Sequence, residues 1–103
     1  WTGLGGGNPW ATKTSAYNAA ANDRNFVDTS SAAVTATLPA APAVGDTIRF
    51  LDISGTFDTN NLTVARNGKK INRATSDLVV ATENAGFALV FTGDTNGWML
   101  QDK

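Results

Sequence analysis

The sequence predicts an all-β fold: a small antiparallel β-sandwich or barrel of about seven to eight short strands, preceded by a Gly-rich N-terminal arm. Three observations predict it. Short segments that alternate apolar and polar residues recur along the chain, DTIRFLDI (46–53) and FALVFT (87–92) most clearly. Clusters of Gly, Asn, Asp, Ser and Pro separate them at regular spacing. No long segment carries helical apolar periodicity.

The elements follow in order. WTGLGGGNPW (1–10) is an arm or linker, because glycines at 3, 5, 6 and 7 favour neither helix nor strand. It does not follow a strand or open a helix, so GLGGG is not a nucleotide loop. Residues 11–103 form the single β domain. ATKTSAYNA (11–19) reads as a strand, AAANDR (19–24) as a short helical turn or a loop, and RNFVDTS (24–30) as a short strand centred on Phe26 and Val27. SAAVTATL (31–38) puts Val34, Ala36 and Leu38 on one face, and Pro39 and Pro42 end it.

DTIRFLDI places Ile48, Phe50 and Asp52 on one face and Thr47, Arg49, Leu51 and Ile53 on the other. Neither face is purely polar, which predicts cover on both sides. SGTFDTNN (54–61) is a loop with Phe57 folded back as a core plug, and NLTVAR (61–66) a strand with Leu62 and Val64 inward. Asn67-Gly68 signals a hairpin, with Lys69 to Ile71 as its return. LVVATE (78–83) and FALVFT (87–92) are strands about an Asn84-Ala85-Gly86 turn, and WMLQ (98–101) closes the domain.

The composition excludes much chemistry. The 103 residues carry eight basic and nine acidic side chains, a net charge of −1, too little to hold a nucleic-acid backbone by charge. The chain has no Cys and no His, which removes thiolate chemistry, disulfides and the commonest general base and metal ligand. No apolar run approaches the roughly 18 residues that span a bilayer. A start at Trp1 without a signal-peptide pattern reads as a piece of a longer protein, or as a trimmed one.

The nine acidic residues mostly neighbour Gly, Asn, Ser or Thr, which reads as turn formation. Asp58-Thr59-Asn60 and Asp94-Thr95-Asn96 are oxygen-rich loops without the spacing of a calcium site. The sequence therefore assigns no catalytic, cofactor-binding or metal-ligating residue. Its contact candidates, for an interface or for stacking on a glycan, are Trp1, Trp10, Tyr17, Val44, Phe57 and Trp98. Trp98 also reads as a core residue, since a Gly-Trp pair at the start of a closing strand usually buries its ring. TLPAAPAVGD (37–46) reads as an inert corner between two strands: proline holds it extended, alanine permits close approach, and Gly45-Asp46 turns it.

Residues 26–99 carry a longer pattern. Its markers are Val27-Asp28-Thr29, Thr37-Leu38-Pro39, Gly45-Asp46, Asp52, Asn61-Leu62-Thr63-Val64, Asn67-Gly68, Ile71, Leu89-Val90-Phe91 and Gly97-Trp98. In order and spacing this resembles a small β domain of tail-fibre and baseplate-associated structural proteins of tailed bacteriophages, such as the N-terminal β domain of the trimeric baseplate wedge protein beneath the short tail fibres. One departure stands out: the family pattern often has a glycine shortly after the position of Ile71, and here Asn72-Arg73 follow.

The resemblance implies a non-enzymatic structural module of the phage particle, in a tail fibre, tail spike or baseplate attachment. It implies a homotrimer whose partners are its own copies and other virion proteins, and it brings no catalytic residue and no cofactor. A capsid decoration or cement domain and a carbohydrate-binding module that recognises host-surface glycan are the alternative expectations. Neither nucleic-acid binding nor membrane insertion is expected.

Overall fold

The computed structural model describes residues 8–101. Nine strands make up the fold: β1 Trp10–Lys13, β2 Tyr17–Asn18, β3 Arg24–Val27, β4 Val34–Thr37, β5 Thr47–Asp52, β6 Leu62–Ala65, β7 Leu78–Val80, β8 Gly86–Phe91 and β9 Trp98–Gln101. No helix occurs among the described residues. The strands form a five-stranded sheet, β1-β3-β5-β8-β9, and a four-stranded sheet, β2-β4-β6-β7.

The all-β expectation holds, in a sandwich-like arrangement of two sheets without a closed barrel. The antiparallel expectation does not hold: four of the seven pairings are parallel, namely β1–β3, β3–β5, β2–β4 and β4–β6. The reason lies in where the links go. From β1 to β6 the chain alternates between sheets, so each of β1 to β4 pairs with the strand two places on and runs the same way. Only β6–β7 and β8–β9 join consecutive strands, and these are antiparallel. Turn-forming residues suit an arch over the sandwich edge as well as they suit a hairpin.

The core lies between the sheets. Trp98, Phe50, Phe57, Leu38, Ile48, Leu62 and Leu89 are its largest fully buried side chains. Burying each stabilises the fold by about 1.5–3 kcal/mol. Phe50 stacks on Phe87 with ring centres 5.2 Å apart, and Phe91 meets Trp98 tilted at 5.3 Å. Val34, Ala36 and Leu38 face inward from β4 and its exit, as their alternation predicts.

Three local expectations are corrected. The predicted strand 11–19 is two strands, β1 and β2, and β1 begins at Trp10, within the stretch read as arm. Cover on both faces of β5 is absent among the described residues: Ile48, Phe50 and Asp52 are buried, while Leu51 and Ile53 are exposed. Asn67 and Gly68 do turn, with φ of 51° and 95°. The chain beyond them runs to the start of β9 instead of returning along β6. There Trp98 N–H donates to Lys70 O and Asn72 N–H to Trp98 O, both at 2.7 Å. Asn72 and Arg73 take φ of 50° and 67°, the left-handed region that a glycine enters without strain.

The 37–46 link carries the chain from one sheet to the other. Leu38 N–H donates to Ala65 O, and Asn67 Nδ2 donates to Leu38 O. Ala43 N–H donates to Asp46 Oδ2, Gly45 N–H to Phe91 O, and Phe91 N–H to Asp46 O. Gly45 turns at φ 96°.

Candidate functional site

Several of the acidic side chains expected to hold turns do bond backbone N–H groups. Asp52, buried on the inner face of β5, accepts from the backbone N–H of Thr56, Phe57 and Asn84. Asp23 accepts from Ala20 N–H and Asn8 Nδ2, Asp28 from Ser30 N–H and its hydroxyl, and Asp77 from Arg66 N–H. The Ser30 hydroxyl holds the Asp28 carboxyl below its usual pKa. Asp94, in the second Asp-Thr-Asn loop, pairs with Lys69 at 2.9 Å. No group of three or more potential metal-ligating Asp, Glu, His or Cys occurs among the described residues.

The contact candidates do not converge. Trp1 lies outside the described residues. Phe57 and Trp98 are 0 % exposed, enclosed by the chain's own core. That removes both from the contact set and leaves them as core residues. Val44 stands alone at the top of the 37–46 link, 73 % exposed.

Trp10 and Tyr17 stand on the edge strands β1 and β2, and Lys13 of β1 reaches over the Tyr17 ring. The Trp10 ring, 39 % exposed, stacks on Phe26 at 4.7 Å and 11°, and the Arg24 guanidinium lies 5.7 Å from its centre. Arg24 Nε in turn donates to Asn8 O at 2.7 Å. Phe26 therefore occupies a face of Trp10 that a sugar ring would need. Leu51 lies two strands from β1 on the same rung as Phe26. Trp10, Arg49, Leu51 and Gly86 border a groove of about 190 Å³. Tyr17 is half-buried, with Lys13 Nζ 5.0 Å from its ring centre. Its hydroxyl is buried with no protein partner, as are Asn25 Oδ1 and Trp98 Nε1. Burial, and secondarily the charge of Asp23, push the Tyr17 phenol well above its ordinary pKa.

A second apolar feature lies where β7 edges the four-stranded sheet, and Gly86 and Phe87 border both it and the groove beside Trp10. Leu78, Val80, Ala85, Phe87 and Leu100 line an open cleft of about 280 Å³. Sequence reasoning placed Leu78 and Val80 in a strand but gave no sign of the cleft. Inward alternation reads the same whether the facing sheet covers a residue or stops short of it.

A scan of the sequence against protein-family models finds no match, and a comparison with curated protein sequences finds none either.

Proposed function

We propose that the chain is a non-enzymatic structural module of a tailed-phage virion, in a tail fibre, tail spike or baseplate attachment, and that it works as a homotrimer. The observation that carries this reading is the residue pattern of 26–99, together with what its polar markers do. Asp28, Asp46 and Asp52 accept from backbone N–H groups, and Asn67 donates to a backbone carbonyl. The pattern is a set of instructions for holding loops, as a framework module requires.

The trimer draws support from surface geometry. A threefold ring needs two different patches per copy, since each contact joins one side of a molecule to another side of its neighbour. Trp10 with Phe26 and Leu51 on the five-stranded sheet is one such patch, and the cleft beside β7 is a different one.

Light scattering after size exclusion tests the assembly. A mass three times the 10.7 kDa of the chain is expected, and a monomer at high concentration overturns the trimer. Antibody labelling of particles that carry this chain tests the location. Label on the tail or baseplate is expected, and label over the capsid surface replaces the reading with a decoration domain.

A further inference from the structure

The β7 cleft combines two features. Its walls are hydrocarbon apart from main chain, with Thr82 the only lining residue that has a polar side chain. At about 280 Å³ it falls just short of the roughly 300–1,000 Å³ of small-molecule sites, and it offers no convergent polar groups to orient a sugar. It has room for a single large side chain. Beside it, β7 pairs with β6 alone among the described residues, so its outer edge presents main-chain donors and acceptors. The edge of β9 differs, since residues 70–72 bond to Trp98 and Asn72 Oδ1 accepts from Leu100 N–H. An open strand edge beside an apolar pocket is the arrangement that binds an added strand, with main-chain bonds for affinity and the pocket for one side chain.

We propose that this site takes the N-terminal arm of a neighbouring copy, with Trp1 in the cleft and the following glycines along β7. The proposal rests on the homotrimer reading. The arm has the matching chemistry: Trp1 and Leu4 are its large apolar residues, and Gly3, Gly5, Gly6 and Gly7 let its backbone lie close to another.

The chain's own cleft lies near the limit of the arm's reach, which favours a neighbour's. Asn8 bonds to Asn22 O beside β1, at the far edge of the five-stranded sheet from β9. The cleft is lined by Phe87 on β8 and Leu100 on β9, three and four strand spacings of about 4.8 Å from β1, about 14–19 Å across the sheet and more along the strands and around the edge. Leu4, four residues ahead of Asn8, reaches about 14 Å at full extension. Trp1 reaches about 25 Å only when fully stretched, and a Gly-rich segment of that length averages about 15 Å.

The chain has no cysteine, so an introduced pair reports the contact alone. Thr2→Cys with Thr82→Cys, oxidised and run without reductant, is expected to give covalent species up to three copies. A monomer closed on itself, or no cross-link, overturns the proposal. Trp1→Ala, outside the described fold, is expected to weaken the trimer by about tenfold or more in dissociation constant. An unchanged constant overturns the proposal. The mass of the unaltered chain separates the two readings. A trimer without the cross-link sinks the arm exchange alone, and a monomer at all concentrations sinks the homotrimer and the exchange with it.

Discussion

The carboxylate of Asp52 and the backbone N–H of Asn84 meet at 3.0 Å across 32 residues of chain. The same Asp52 Oδ2 accepts from Phe57 N–H at 3.1 Å, while Oδ1 takes Thr56 N–H. One buried side chain thus ties the 53–61 loop to the turn that precedes β8, and it seats Phe57 in the core. Asp52→Ala leaves three backbone donors without their acceptor. The Phe57 donor is buried and costs about 1–3 kcal/mol when orphaned, while the other two are only partly buried and add less, so a loss of about 2–3 kcal/mol is expected in urea denaturation. A loss below about 1 kcal/mol would show that the loops hold without it.

Gly97 has φ 77° and lies so close to Lys70 that an added Cβ would collide with the Lys70 carbonyl. Gly68, at φ 95°, has open space around it. Gly68→Ala is therefore expected to cost only the conformational strain, about 1–2 kcal/mol. Gly97→Ala is expected to cost clearly more, because the Lys70–Trp98 bond must also break. Thermal melts of the two variants side by side check the order.

Arg73 holds φ 67° without being glycine, at a loop where its N–H donates to Asn96 O. Arg73→Gly removes the strain and adds some unfolded-state entropy. A net stabilisation of up to about 1 kcal/mol is expected, read as a higher melting temperature.

Tyr17 is the only tyrosine, so its ionisation can be followed by absorbance without overlap from another phenol. The folded chain binds the phenol proton more tightly than the unfolded chain does. That contribution to stability is whole below the ordinary value near about 10, and it is lost as pH rises beyond it. Tyrosinate is expected to appear together with unfolding. Tyr17→Phe removes a buried hydroxyl that has no protein partner, and is expected to gain about 1 kcal/mol at neutral pH and to blunt the alkaline loss.

Asp28 works in the opposite direction. Its native pKa is lowered, first by the Ser30 hydroxyl. Its contribution is present above the ordinary Asp value of about 3.9 and is lost as pH falls through the lower native value. Ser30→Ala is expected to move the Asp28 titration back up, measured by carboxyl carbon chemical shift. An unmoved titration would assign the shift to another neighbour.

Much of the framework was legible because it rests on local chemistry. Alternation in DTIRFLDI and FALVFT gave the buried faces of β5 and β8, and Phe57 was visible as a lone aromatic in a polar loop. Strand direction was not legible. The links after Lys13, Asn18, Val27, Thr37 and Asp52 use the same Asp, Ser, Asn and Gly whether the chain folds back beside itself or crosses to the other sheet. The surface was only partly legible. Phe57, Trp98, Trp10 and Val44 are all apolar, yet they range from 0 % to 73 % exposed according to which strands end up over them. The neighbours that decide this, such as Phe26 beneath Trp10, come from a different strand.

The alternation of β1 to β6 between sheets also sets when this protein can fold. None of β1 to β5 pairs with a neighbour in sequence, so the first half of the chain offers no hairpin from which order can spread. The two pairings of consecutive strands, β6–β7 and β8–β9, come in the second half, and the last of them brings Trp98. On the ribosome each early strand therefore emerges without an adjacent strand to pair with, and waits for one that comes later in the chain. A chain that must wait in this way benefits from its neighbours' company and from a modest rate of synthesis, because exposed strand edges on nascent chains are where misassembly begins.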